Sequence, residues 1–237
     1  MVSTAVAHRM MTGMSRFNII FVSGIFVFAL LAAGCSHQKV PTARVAEKAN
    51  FAFWSGQWPE AKEGYAELIY RSPDNWNYQY RMGVACLNVD DLDGARRSLE
   101  IAETLRPQQH DIAVNLAETM YRQDDRTALF TFLVDRAEST QQSSDWLLLA
   151  RYSLDLDDPE MARLAIQEAL VLDTSDSPTP YLVAAELAER LGDIDGALQS
   201  LKIAWTLDPE NTQVQAMIRG LGEVPGPTML DRTEMGG

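Results

Sequence analysis

The feature that most constrains the fold of this chain is an internal repeat. When the sequence is shifted by 102 residues, residues 91–107 overlie residues 193–209, and eleven of those seventeen positions are identical. The shift is three times 34, and a period of 34 residues is typical of solenoids built from stacked supersecondary units. Because one unit cannot bury its own apolar face, such a chain folds by stacking its units.

The other units fall into the same phase. Starting points at Thr42, Trp76, His110, Ser143 and Pro178 give spacings of 34, 34, 33 and 35 residues. Each unit has room for two helices joined by a turn.

These units resemble the tetratricopeptide repeat (TPR), a helix-turn-helix module. The small residue of TPR position 20 is met by Ala61, Ala95, Ala162 and Ala197, and the apolar residue of position 24 by Tyr65, Leu99, Leu133, Ile166 and Leu201. Position 27, usually alanine, holds Leu68, Ala102, Arg136, Ala169 and Ala204, and the proline of position 32 is met by Pro73, Pro107 and Pro209. The third unit fits least well, because Leu129 stands at position 20 and Arg136 at position 27.

The resemblance implies an all-α fold, a TPR solenoid of about five repeats over residues 42–222. Residues 212–221 (TQVQAMIRGL) are predicted to form a terminal helix that covers the last repeat. Residues 223–237 are rich in proline and glycine, and this composition predicts a disordered tail.

The N-terminus has the pattern of a secretory signal. Arg16 precedes an apolar run over residues 17–33 (FNIIFVSGIFVFALLAA), which ends in small residues before Gly34 and Cys35. The Gly-Cys ending resembles the lipobox of bacterial lipoproteins. This resemblance implies that residues 1–34 are removed and that Cys35 receives a diacylglycerol group and a further fatty acid such as palmitate. Residues 35–41 would then form a short lipidated tether.

An uncleaved membrane anchor is the alternative for this segment. The apolar run is at the lower limit for crossing roughly 30 Å of hydrocarbon, and the small-residue Gly-Cys ending has no purpose in an anchor. Ser36 follows the cysteine, and by the lipoprotein sorting rule this favours the outer membrane, with the chain facing the periplasm.

Cysteine usage agrees with this interpretation. The chain has two cysteines, and acylation of Cys35 would leave Cys86 without a partner in the chain. Cys86 lies among apolar neighbours, Val84, Ala85 and Leu87, so we expect a buried thiol.

The charge balance argues against nucleic acid as a partner. The formal net charge is −13, whereas the phosphate backbone of nucleic acid favours clustered lysine and arginine. The same balance argues against binding an anionic lipid surface by charge alone. Acidic faces that keep the protein soluble are the simplest interpretation.

Two pairs of aspartates look like fragments of a calcium loop. In both pairs, Asp91 with Asp93 and Asp193 with Asp195, the second aspartate is followed by glycine, but an apolar residue stands two places before the first aspartate, where the loop needs a ligand. Both pairs fall between the two helices of a unit, where an aspartate caps the free N–H groups of the next helix. Capping is therefore the predicted role.

The sequence offers little for catalysis or for a cofactor. It contains no H-E-x-x-H, G-x-S-x-G, Walker or G-x-G-x-x-G motif, and the paired carboxylates Asp124-Asp125 and Asp157-Asp158 fall at inter-helix turns. We therefore predict a protein that is not an enzyme and binds neither metal nor cofactor.

The remaining place for function is the groove that the first helices of TPR units line. By the TPR pattern, the groove-facing positions hold Phe53, Tyr80, Val84, Leu87, Val114, Glu118, Tyr121, Leu147, Arg151, Leu154, Leu182, Glu186 and Glu189. This is an apolar strip that becomes acidic toward the C-terminal end, and amphipathic helices bind such grooves. The alternative is that neighbouring first helices bury some of these side chains, notably Val84 and Leu147.

A chain that combines a lipobox with TPR units and little else resembles the TPR lipoprotein of the tight-adherence (Flp/Tad) pilus and the pilotin of type IV pili. The resemblance implies an outer-membrane adaptor that grips an amphipathic segment of a secretin or pilus component and assists its assembly. The alternative is a TPR scaffold lipoprotein of outer-membrane protein assembly or of cell-wall enzyme regulation.

Overall fold

A computed structural model of the protein describes residues 40–226. Within these residues the chain forms eleven helices: α1 (Thr42–Trp54), α2 (Trp58–Arg71), α3 (Trp76–Asn88), α4 (Leu92–Leu105), α5 (His110–Arg122), α6 (Arg126–Thr140), α7 (Ser143–Asp155), α8 (Pro159–Leu172), α9 (Thr179–Arg190), α10 (Ile194–Leu207) and α11 (Thr212–Gly220). Successive helices pair as α1 with α2, α3 with α4, and so on to α9 with α10, and each pair packs on the next. The predicted solenoid of about five helix pairs and a terminal helix is confirmed.

The repeat register agrees with the helix boundaries. Helices α1, α3, α5 and α7 begin at the four residues where units are predicted to start, and α9 begins one residue after Pro178. The signal peptide, Cys35 and all of the tether except Val40 and Pro41 lie outside the described residues, as do residues 227–237 of the predicted tail. Those assignments stay predictions. None of the helices in residues 40–226 combines the length and the hydropathy needed to cross a bilayer.

The signature positions of the repeat form the core. The residues at position 20, Ala61, Ala95, Leu129, Ala162 and Ala197, are each 0% exposed. Small side chains at this position let the two helices of a unit approach closely. In the third unit, where Leu129 replaces alanine, α5 and α6 contact each other less than the helices of the other units do.

A glycine permits another close approach, between α3 and α4. A Cβ added to Gly83 would lie 2.5 Å from Cγ of Leu99, which is 0% exposed. Gly83 occupies unit position 8, where the other four units have alanine. The second helix pair therefore packs more closely at this point than a side chain would allow.

The turns between the helices of a unit share one geometry. The residue at the turn has a positive φ in every unit: Gly56 (69°), Asp90 (61°), Asp124 (57°), Asp157 (59°) and Gly192 (74°). In units two to five the next residue is an aspartate that accepts a hydrogen bond from the backbone N–H of the third residue of the second helix. The predicted capping role is confirmed for Asp91 and Asp193, and Asp125 and Asp158 cap their helices in the same way.

The terminal helix α11 covers the last repeat. Val214 and Ile218 are both 0% exposed and pack with Leu201 and Ala204 of α10. The outward residues of α11 are small or polar, which is how a solenoid end is kept soluble.

Candidate protein-binding groove

The first helices of units two to five pack directly on one another. Direct packing joins α3 to α5, α5 to α7 and α7 to α9, and no comparable packing joins second helices in the described residues. Hydrogen bonds cross between these first helices: the Tyr152 hydroxyl lies 3.2 Å from Oε2 of Glu118, and Nδ2 of Asn115 lies 3.5 Å from the Tyr80 hydroxyl. The closely spaced first helices therefore line the inner side of the solenoid, which we call the groove.

Nine of the thirteen predicted groove residues retain accessible surface. Tyr121, Arg151 and Glu189 are exposed, and the other six are half-buried: Phe53, Tyr80, Val84, Val114, Glu118 and Glu186. Whether they contact a partner stays a prediction. Glu186 is paired with Arg190 at 2.8 Å, so the acidic character at the C-terminal end of the groove is partly neutralised.

The remaining four residues require a correction. Leu87, Leu147, Leu154 and Leu182 are only 7%, 8%, 4% and 5% exposed. Leu87, Leu147 and Leu154 pack in the large core cluster that runs through the middle units, whereas Leu182 packs against α10 and α11. Leu87, Leu154 and Leu182 are core residues, and only Leu147 contributes surface, at the bottom of a cleft in the groove.

This cleft lies between α5, α7 and the start of α9 and has a volume of about 320 Å³. It is lined by His110, Val114, Ser144, Leu147, Leu148, Arg151 and Thr179. Ligand pockets in proteins span about 300–1,000 Å³, so the cleft has room for one large side chain of a partner.

The charge of the cleft is opposite to that of the chain. Among its seven lining residues none is acidic, and Arg151 is an exposed cation. The second titratable group is His110, whose Nδ1 lies 2.7 Å from Oδ1 of Asp145. An apolar floor with a cation at its rim suits a side chain that is apolar and is followed by a carboxylate.

Behind the cleft lies a buried ionic cluster that the sequence analysis missed. Arg136 contacts both Glu103 and Asp145, and the side chains of Arg136 and Asp145 are only 3% and 1% exposed. Asp145 also accepts a hydrogen bond from the Thr140 hydroxyl at 2.7 Å and is paired with His110. The cluster thus ties α6 to α7 and α4 and fixes the position of His110.

The two carboxylates of this cluster respond differently to burial. Burial raises the pKa of Glu103, and the neighbouring Arg136 only partly opposes the effect. For Asp145, burial also acts to raise the pKa, but bonds with His110 and Thr140 together with the charge of Arg136 outweigh it, so the pKa is lowered. Asp145 is therefore the more firmly ionised group.

The repeat pattern contained signals for three residues of the cleft and of the ionic cluster that the sequence analysis missed. Ser144 and Thr179 stand at unit position 2, a position of the first helix that faces the groove in the TPR pattern, so applying the pattern to every unit would have placed them in the groove. Arg136 stands at position 27, where four units have alanine or leucine. A charged residue at a core position indicates a buried ion pair, but its partners depend on tertiary contacts.

The predicted state of Cys86 is confirmed. The side chain is 0% exposed, and burial raises the pKa of the thiol to about 11. Among residues 40–226, no group of three or more histidine, cysteine or acidic side chains is placed to hold a metal ion.

Comparison with solved structures settles the fold. The chain superposes on TTC0263, a thermophilic TPR protein of Thermus thermophilus, with a TM-score of 0.54 and 17% identity over 76% of this chain and 98% of that one. The protein has the TPR fold. Similar matches are yeast Tom70 (TM-score 0.58, 18% identity, 68% of this chain and 35% of that one) and YrrB, a TPR protein with an unusual peptide-binding site (0.52, 12%, 79% and 97%).

At these identities the likeness extends to the TPR fold and no further. No protein-family model and no curated protein matches the sequence. The role of this TPR solenoid therefore has to be argued from its own groove.

Proposed function

We propose that this TPR protein is an adaptor that holds a segment of another protein in its groove. The observation that carries the proposal is the cleft between α5, α7 and α9, which combines an apolar floor with a cation in a chain of net charge −13. Grooves of this kind bind amphipathic segments through a few anchoring side chains. That the protein is not an enzyme stays a prediction.

The proposal extends to the location of the adaptor. The lipobox-like Gly34-Cys35 and the following Ser36 support lipid attachment at the periplasmic face of the outer membrane. A lipid-anchored adaptor confined to that surface would meet membrane-inserted assemblies. We therefore propose a secretin or pilus component as the partner, with the adaptor assisting its assembly.

The test is capture of partners from outer membranes by the full, anchored chain, followed by mass spectrometry. Arg151→Glu reverses the charge at the rim of the cleft, and Arg97→Glu on the second helix α4 makes the same change at an exposed site outside the groove. We expect the wild type and Arg97→Glu to retain a secretin or pilus component, and Arg151→Glu to lose it at least tenfold.

Two results would count against this function. Equal capture by all three proteins would show that the cleft is not the binding site. Capture of outer-membrane barrel-assembly proteins or cell-wall enzymes, with no pilus or secretin component, would replace the proposed partner by the alternative scaffold role.

A further inference from the structure

One face of α1 is exposed, although the equivalent face of the first helix is buried in every later unit. At unit position 10, the residues Ala85, Thr119, Tyr152 and Leu187 are 0%, 0%, 8% and 7% exposed. The equivalent residue of the first unit, Phe51, is 67% exposed. The later residues are covered because each first helix packs on the preceding unit, and within the described residues no unit precedes α1.

The same comparison places Trp54 on this open surface. Trp54 stands at unit position 13, where the later units have polar residues. In the third unit that residue is Arg122, which donates to the Leu87 carbonyl of the unit before at 3.1 Å. Trp54 has no preceding unit to contact among the described residues and is 75% exposed.

Two cations complete the surface, which we call the α1 end face: Arg44, Lys48, Phe51 and Trp54. Arg44 and Lys48 stand at unit positions 3 and 7 and are both exposed. Arg81 of α3, in the following unit, lies 5.4 Å from the centroids of both the Trp54 ring and the Phe53 ring, so Trp54 stands at the border between this face and the groove. Glu47 is exposed three residues after Arg44 and four before Phe51, on the same side of α1, so the face presents two large aromatic rings with two cations and one acid, on a chain that is strongly acidic overall.

The opposite end of the solenoid is built differently. There α11 turns its apolar residues Val214 and Ile218 inward and exposes small and polar residues, as a soluble end requires. The α1 end face has no such covering helix in residues 40–226. Its two exposed aromatic side chains are therefore available to a binding partner.

The chemistry of the face fits a phospholipid surface. Tryptophan is enriched where a bilayer meets water, and arginine and lysine are attracted to an anionic lipid surface. The net charge of −13 opposes adsorption of the whole chain, but α1 itself carries two cations and one acid, Glu47. A locally basic, aromatic face can thus bind lipid once the chain is already held at the membrane.

The covalent distance to the membrane is short. From Cys35 to the start of α1 at Thr42 there are seven residues, which span at most about 25 Å when fully extended. This limit holds for a lipidated cysteine, and for an anchor ending at Ala33 the nine residues to Thr42 span at most about 32 Å. Either attachment keeps α1 close to the lipid headgroups.

We propose that the α1 end face docks on the anionic phospholipid surface to which the chain is attached. The proposal rests on the membrane attachment proposed above and is independent of what the groove binds.

The test uses the full chain with its anchor, reconstituted into vesicles of phosphatidylethanolamine and phosphatidylglycerol. Bromine on the acyl chains near the headgroups quenches tryptophan emission at short range. The Trp54 contribution is the difference in emission between wild type and Trp54→Phe. The matched control is Trp205, a half-buried tryptophan of α10, measured with Trp205→Phe.

We expect the Trp54 contribution to lose at least half of its intensity in brominated vesicles and the Trp205 contribution to stay unchanged. Arg44→Glu combined with Lys48→Glu should restore most of the Trp54 emission, whereas Arg219→Glu on the exposed side of α11 should not. Unchanged circular dichroism and unfolding midpoints establish that each variant folds.

Equal Trp54 emission in brominated and plain vesicles would overturn the docking proposal. If that emission is also protected from iodide in solution, a protein covers the face instead. Failure of the chain to float with the vesicles would overturn the proposed membrane attachment itself, so the two failures are distinguishable.

Discussion

Replacing Arg136 by methionine is expected to destabilise the solenoid strongly. The side chain is 3% exposed and contacts Glu103 and Asp145, whose side chains are 16% and 1% exposed. Methionine keeps most of the volume but leaves two carboxylates in the core without their shared cation. Breaking a buried ion pair by removing one partner costs roughly 3–5 kcal/mol.

The structure places the expected cost toward the lower end of that range. Asp145 keeps its bonds with His110 and Thr140 when Arg136 is removed, so Glu103 bears most of the loss. At about 2–4 °C per kcal/mol for a domain of this size, a loss of roughly 3 kcal/mol lowers the melting temperature by about 6–12 °C. Urea unfolding followed by circular dichroism measures the free energy directly.

Two further variants make the measurement specific. Arg97→Met makes the same chemical change at an exposed site and should cost less than about 0.5 kcal/mol. Adding Glu103→Leu to Arg136→Met removes the unpaired carboxylate and should recover part of the stability, since an apolar replacement of a buried pair is often close to neutral. A loss below about 1 kcal/mol for Arg136→Met would refute the assigned role of the cluster.

Three other substitutions test the described contacts. Gly83→Ala should cost about 1–3 kcal/mol in urea unfolding, because the new Cβ would lie 2.5 Å from Leu99, whereas Gly220→Ala meets nothing within 4 Å and should not destabilise. After mutation of the predicted lipidation cysteine, Cys86 should not react with Ellman's reagent until the protein is unfolded, because the thiol is buried and its pKa is raised to about 11; rapid labelling of the folded protein would contradict this. Asp157→Gly should raise the unfolding free energy by about 0.5–1 kcal/mol, since glycine adopts a φ of 59° without strain, and an unchanged or lower midpoint would contradict it.

The pH dependence of the ionic cluster follows from the two pKa shifts. Asp145 has a lowered pKa, so its contribution to stability is present above its ordinary value of 3.8 and is lost as the pH falls below it. Glu103 has a raised pKa, so the folded state binds its proton more tightly, and stability falls as the pH rises from 4.5 through that raised value. Asp145→Asn should therefore reduce the dependence of stability on pH below about 4, which acid titration of the unfolding midpoint measures.

The repeat period was enough to predict the helices but not their spacing. Residues such as Ala95 and Leu99 recur at fixed positions because every unit solves the same packing problem, and this periodicity is visible in the sequence. The approach of α5 to α7 is a tertiary property. For that reason Leu154 was predicted to face the groove, although the neighbouring first helices enclose it.

The poor fit of the third unit to the TPR pattern has a structural cause. Arg136 stands at position 27, where the other units have alanine or leucine, and it contacts Asp145, which is buried at position 3 of the next unit. Either charge buried alone would be costly, so the two compensate one another. Asp145 also holds His110, which lines the cleft on the opposite side of the cluster. The positions that weaken the repeat signal therefore belong to the structure that supports the candidate binding site, in agreement with the general rule that local departures from a fold pattern concentrate at functional sites.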